Sequence, residues 1–297
     1  MKIRIDKDAL LDPTGSDLRS GLLYGLRRLM VMNHQVTWDP SLLTAEQRQR
    51  LEHDDLRPDT GADPEDVCLQ AGPDGNSLLV LAEDRMLTKG RTWVEVTERL
   101  LFPNRETIQK RTTSETDIEL RLLLDGTGMS RIDTGLKFFD HMLDQIARHG
   151  LFDLEISCKG DLEIDEHHTI EDVAIVLGEA IYQLCGKDKT GIQRYGFVLA
   201  MDDAQAQVAL DLSNRPWLVW NAEFNREYVG DFPLEMAKHF FHTLAMHMRA
   251  TLQIEVSGEN EHHKLEAIFK GFAKALRFSI TRTERATGLL PSSKGAL

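Results

Sequence analysis

The feature that most limits what this chain can become is an internal repeat. HHTIEDVAIVLGEA, from His167, and HHKLEAIFKGFAKA, from His262, both open with HHxxE and both continue at helical spacing. Each follows an alternating, strand-like run: LFDLEISCKGDLEI, which reads as strand, turn, strand, and TLQIEVSGE. Before each run lies a helix-like stretch with its own histidine, His141 in TGLKFFDHMLDQIARHG and His239 in PLEMAKHFFHTLAMHMRA. In the first of these, Leu136, Phe139, Met142, Leu143 and Ile146 are helically spaced and Gly150 is the expected C-cap. TDIELRLLLDG and QVALDLSN open the two series as strands. Residues 111 to 297 therefore read as two copies of one unit, near 111–200 and 201–297.

The repeated motif predicts a chemistry. On a helix, residues four apart are separated by about 40° and neighbours by about 100°. His167 and Glu171 share a face, as do His262 and Glu266, while His168 and His263 point about a quarter-turn away. One HHxxE can thus serve two metal ions, its His–Glu pair reaching one and its second histidine the other. With His141 and His239 the chain offers six histidines and two glutamates, enough for three nitrogens and one oxygen on each of two ions. Four such donors with positions left open suit a six-coordinate divalent ion better than a closed zinc tetrahedron, which often takes thiolate.

Other features narrow the class. The three cysteines, Cys68, Cys158 and Cys185, form no CxxC pair and read as reduced thiols. A net charge of −13 argues against nucleic acid as partner, though local basic groups can still hold a small phosphate. No apolar run is long enough to span a bilayer, and the opening MKIRIDKDALL is broken by charge, so a membrane partner and a secretory signal are not expected and the expected location is the cytoplasm.

Taken together, DTGLKFFDHMLDQIARHGLFDL, DEHHTIEDVAIVLGEA, GIQRYG, DLSNRP, EHHKLEAIFKGFAKAL and PSSKG resemble the imidazoleglycerol-phosphate dehydratase family over residues 111–297. The resemblance implies a metal-dependent hydro-lyase of histidine biosynthesis that converts imidazole-glycerol phosphate to imidazole-acetol phosphate. It implies a duplicated α+β fold of the ribosomal protein S5 domain 2-like kind, each half a four-stranded sheet with two helices on one face. Two Mn²⁺ ions are implied, with Fe²⁺ or Co²⁺ as alternatives, in a homo-oligomer of 24 subunits with metal sites formed between subunits. By motif, His141, His168, His262 and Glu266 would hold one ion, and His167, Glu171, His239 and His263 the other. Glu115, Gln145, His149, Arg194, Arg215, Lys270, Ser292, Ser293 and Lys294 match substrate contacts. Glu115 is the first candidate for proton transfer, because no metal uses it, and Glu171 the second.

Residues 1–105 differ in texture and read as a small α/β domain ahead of the 106–297 region. Pro-, Gly- and Asp-rich loops separate short apolar runs, IRI, LRRLMVM and SLLVLAED, taken as strands. IRIDKDALLD resembles the DxDxT motif of haloacid-dehalogenase-type histidinol-phosphate phosphatases, with Asp6 and Asp8 in place and Leu10 where Thr belongs. Met32 takes the usual Ser/Thr position of the second motif, Asp84 matches the later acidic motif, and no motif lysine stands between them. A degenerate phosphatase domain is expected. The competing readings are a bifunctional enzyme that keeps phosphatase activity and a non-catalytic metal-storage protein.

Overall fold

The computed structural model describes residues 1–59, 66–83, 85–186, 189–282, 286 and 289–292. The chain divides into two compact units, Met1–Pro103 and Asn104–Leu297.

The first unit runs β1 (Lys2–Ile5), α1 (Lys7–Leu10), α2 (Leu22–Val31), β2 (Gln35–Thr37), α3 (Ala45–His53), β3 (Val67–Ala71), β4 (Leu78–Ala82), β5 (Arg85–Gly90) and α4 (Trp93–Leu101). Its sheet has the order β2-β1-β3-β4-β5, with the first three strands parallel and the last two added antiparallel. The LRRLMVM run is not a strand. It ends α2, because Leu22, Leu26 and Leu29 recur at helical spacing and bury one stripe while Val31 is 66% exposed. Trp93 anchors this core, its indole N–H donating to the Ala9 carbonyl at 2.8 Å. A Cβ on Gly25 would come within 2.5 Å of the Trp93 ring, which is why a helix interior carries glycine there.

The second unit runs β6 (Glu106–Thr112), β7 (Thr116–Leu123), β8 (Ser130–Asp133), α5 (Lys137–Gly150), β9 (Asp153–Gly160) and α6 (His167–Ile181), which continues as a π-helical turn over Tyr182–Gly186. There follow β10 (Tyr195–Met201), β11 (Ala204–Asp211), β12 (Trp217–Asn221), the short hairpin β13 (Tyr228–Val229) and β14 (Phe232–Pro233), α7 (Glu235–Met248), β15 (Thr251–Ser257) and α8 (Glu261–Ser279). Two four-stranded sheets form, β6-β7-β9-β8 and β10-β11-β15-β12. In each, three strands are antiparallel and the fourth joins parallel to its neighbour. Alternation sets their faces: Ile118, Leu120 and Leu122 are buried while Asp117, Glu119 and Arg121 are exposed. α5 and α6 pack on the first sheet and α7 and α8 on the second. The helices then pack across the halves, α5 on α8 and α6 on α7, in one continuous core.

Two expected details differ. DLEI (161–164) is a turn, not a second strand; Ile164 is 72% exposed, so the pattern that suggested a strand has no sheet face to bury. The left-handed residue after α5 is Leu151 (φ 55°), with Gly150 still helical. Gly150 is needed for space instead, since a Cβ there would meet the Phe152 ring at 2.3 Å.

Candidate metal centre

The crossed helix pairing brings each half's histidines to the other half's. His141 of α5 meets His262 and Glu266 of α8, and His239 of α7 meets His167 and Glu171 of α6. Within each triad the three ligand atoms lie within 4.8 Å of one another. His262 Nε2 is 3.0 Å and His141 Nε2 3.8 Å from Glu266 Oε2. His239 Nε2 is 3.0 Å from Glu171 Oε1, and His167 Nε2 3.9 Å from Glu171 Oε2. The i, i+4 spacing of HHxxE puts each His–Glu pair on one face, as the helix requires. Asn260 caps α8, its side-chain oxygen accepting from the backbone N–H groups of His262 and His263.

His168 and His263 belong to neither triad. His168 Nδ1 lies 3.1 Å from both carboxylate oxygens of Asp161, and Glu115 Oε1 lies 3.7 Å from its Nε2. His263 Nδ1 lies 2.5 Å from Asp203 Oδ1, and Asp202 Oδ2 lies 3.6 Å from its Nε2. The Asp161 hydrogen bond raises the His168 imidazole pKa, and Asp203 does the same for His263. Sequence reasoning misses Asp161, Asp202 and Asp203. The DD of MDDAQ and the D of KGDLEI were their only signal, and acidic loops are common.

The surroundings of the two triads differ. Along α8, Lys270 stands one turn past Glu266 and pairs with its Oε1 at 2.8 Å. Burial pushes the Glu266 carboxyl up, but the hydrogen bond from Lys270, with help from His262 and His141, holds it below the usual range. On the facing helix, Gln145 is buried with its amide nitrogen 3.3 Å from His141 Nδ1. One turn further His149 has its pKa lowered by burial and then by the charges of Lys270 and Lys274. His141, Gln145, His149 and Lys270 thus come together along one helix pair.

Arg194 and Arg215 gather at Asp211, 2.8 and 3.7 Å from Oδ2, and Arg194 also donates to the Pro291 carbonyl just before Ser292. Arg194 and Asp211 line a cleft of about 400 Å³ together with Tyr195 and Thr251. Ser293 and Lys294 lie outside the described residues. The donor set fits a divalent metal: each triad supplies two imidazole nitrogens and a carboxylate, all converging and all ring contacts through Nε2.

In the first unit, Asp6 follows the parallel strand β1 and Asp8 lies in α1. Arg4 Nε pairs with Asp6 Oδ1 at 3.1 Å. Met32 caps α2 and is on no strand; the hydroxyl of the adjoining strand β2 is Thr37. Asp84 lies outside the described residues.

A sequence model of imidazoleglycerol-phosphate dehydratase matches residues 134–276, a segment that contains all eight expected ligands. The chain is 49% identical over 234 residues to the histidine biosynthesis bifunctional protein HisB of Spirosoma linguale, covering 79% of this chain and 61% of that protein. It thus spans about three-fifths of the length of this curated relative. Imidazoleglycerol-phosphate dehydratase from Staphylococcus aureus superposes with a TM-score of 0.55 at 33% identity, covering 60% of this chain and 99% of that one. The Pyrococcus furiosus enzyme, solved in complex with (S)-C348, gives 0.55 at 34% identity, covering 64% and 100%. With similarity over the full length of two solved members, the chain belongs to the imidazoleglycerol-phosphate dehydratase family.

Proposed function

We propose that the chain dehydrates imidazole-glycerol phosphate to imidazole-acetol phosphate in histidine biosynthesis, using two Mn²⁺ ions, in the cytoplasm. The observation that carries this reading is the pair of matching His–His–Glu triads, each drawn from both halves of the second unit. The matching strand orders support an origin by duplication of an S5 domain 2-like unit. His168 and His263, outside both triads, would complete the sites of neighbouring copies in a homo-oligomer, expected to be a 24-mer. His141, His262 and Glu266 would then share an ion with a neighbour's His168, and His167, Glu171 and His239 with a neighbour's His263.

The reaction removes a hydroxyl from the carbon attached to the imidazole ring and a proton from the next carbon, giving an enol that becomes the ketone. Bound ions would supply Lewis-acid charge that favours loss of the ring N–H proton. Glu115 is the candidate to carry the carbon's proton: its side chain is 46% exposed and its carboxylate stands 3.7 Å from the His168 ring. Glu171 is the second candidate. Arg194 and Arg215 offer planar, forked donors to the phosphate, with Ser292, Ser293 and Lys294 following in the chain. Gln145, His149 and Lys270 would line the substrate's path beside the first triad.

The first unit reads as a degenerate phosphatase: Asp6, the nucleophile of the DxD motif, is paired with Arg4, and Leu10 replaces the motif threonine. Incubating Mn²⁺-loaded protein with imidazole-glycerol phosphate and, separately, with histidinol phosphate tests both readings. Keto product in the first tube is expected. Free phosphate in the second would restore the bifunctional reading, and neither product with tight metal uptake would favour storage.

A further inference from the structure

The two histidines left out of the triads share a second feature. His168 and His263 each set Nδ1 against a carboxylate, Asp161 at 3.1 Å and Asp203 at 2.5 Å. A carboxylate can only accept, so Nδ1 carries the hydrogen and donates, and the ring's lone pair is confined to Nε2.

The two carboxylates do not occupy matching positions. Asp161 directly follows β9, in the loop that leads into α6. Asp203 sits in the β10–β11 hairpin, just before β11. The residue in the second half that stands in Asp161's kind of position, after β15, is Glu259, and it does something else: its backbone N–H donates to Asp203 Oδ2 at 2.6 Å. In the first half the residue just before β7 is Glu115, which faces Nε2 of His168 and not Nδ1. Descent from one ancestral unit would place the acid at one site in both halves. The same Nδ1–carboxylate pairing reached from two different loops points to a demand placed on the ring itself.

We propose that Asp161 and Asp203 are positioning residues that hold His168 and His263 in the tautomer presenting Nε2 to a divalent cation. This rests on the metal-dependent reading above, in which those two rings complete sites begun by the triads. A carboxylate behind a metal-bound imidazole fixes ring orientation and raises its basicity, and losing one weakens metal affinity about 10–100-fold.

The test uses the full chain and Mn²⁺ itself. Free Mn²⁺ is followed by electron paramagnetic resonance during titration of the parent, Asp161→Asn and Asp203→Asn, with thermal unfolding of each metal-free protein measured alongside. The expected result is a 10–100-fold loss of Mn²⁺ affinity for a subset of the ions in each variant, with unfolding midpoints near the parent's. Parent-like affinity in both variants overturns the proposal and leaves the metal reading standing. A parent that binds no Mn²⁺ overturns both. Should either variant fail to fold, a structure of the Mn²⁺-loaded parent decides: ligation by Nε2 of both rings supports the assignment, and ligation by Nδ1 refutes it.

Discussion

Glu261 and Lys264 bracket the second histidine pair in sequence, and their side chains turn the opposite way, into the protein. They are 4% and 5% exposed, with Lys264 Nζ 2.7 Å from Glu261 Oε2. Lys264 also donates to the Glu223 carbonyl at 2.7 Å and lies 5.2 Å from the Phe224 ring centroid. Glu261 Oε1 accepts the Asn225 backbone N–H at 2.9 Å. The pair therefore ties the 223–225 segment to the first turn of α8, where His262 and His263 project. At that 2.7 Å separation and an effective dielectric of about 20, the gross attraction is about 6 kcal/mol. Desolvating both ions takes back most of it, so the intact pair adds little net stability, yet breaking it strands one buried charge.

Glu261→Gln leaves the Lys264 ammonium with a carbonyl and a ring for company, and should cost about 3–5 kcal/mol. For a unit of this size that lowers the melting temperature by about 6–20 °C. Glu261→Gln combined with Lys264→Met removes both charges and should recover most of the loss. Thermal unfolding of the metal-free chain, parent, both single variants and the double, closes a double-mutant cycle. A cost under about 1 kcal/mol for Glu261→Gln, or a double variant worse than either single, would refute this account of the pair.

Gly178 faces α7, where an added Cβ would come within 3.0 Å of both the Leu244 carbonyl and the Met248 nitrogen, backbone atoms that cannot rotate away. Overpacking of about 1–3 kcal/mol outweighs the roughly 1 kcal/mol helix gain of alanine, so Gly178→Ala should destabilise slightly and weaken metal uptake by the α6–α7 triad; a stabilised variant would contradict the close approach. In the first unit, the hydrogen bond from Arg28 holds the Glu98 carboxyl below its usual range. Its contribution is present above the unfolded carboxyl value of about 4.3 and is lost as pH falls through the lowered folded one, so between those two values the stability of Glu98→Gln should fall less steeply with acid than the parent's. Chelation should convert a large particle to a smaller oligomer that Mn²⁺ restores at neutral pH, as read by sedimentation; an unchanged particle verified free of metal would mean that the ions take no part in assembly.

Helix periodicity made the candidate site legible where its residues lie on helices. His141, His239 and the two HHxxE motifs are each on the helix their spacing indicates, because a period of 3.6 is set locally and survives without knowledge of the fold. Periodicity also carried the correct answer for LRRLMVM, whose leucines continue the stripe of α2, but a dense apolar run looks equally like a buried strand. Loops have no such period. That Asp161 and Asp203 reach imidazoles seven and sixty residues on depends on how β9 and the β10–β11 hairpin end, which no local pattern announces.

Repetition has a further limit as a guide to chemistry. It places equal triads at both helix crossings, but the residues beyond them have diverged. One and two turns past Glu266 stand Lys270 and Lys274; at the same spacing past Glu171 stand Ile175 and Glu179. The facing histidines divide accordingly. His149 has its pKa lowered by burial and the two lysines, whereas His247 Nδ1 lies 3.4 Å from Glu179. A carboxylate that shares its charge with an ammonium is a weaker donor to a cation than one that does not. Each glutamate lies 3.0 Å from an imidazole of its own triad, but Glu266 is also paired with Lys270 at 2.8 Å, whereas Ile175 stands at the matching position beyond Glu171. Two ions held by these triads would therefore be unequal, the one at Glu171 seeing more negative charge and the one at Glu266 lying beside cations that suit an anionic substrate. If both triads hold metal as proposed, the residues one turn beyond them would give the two ions different roles.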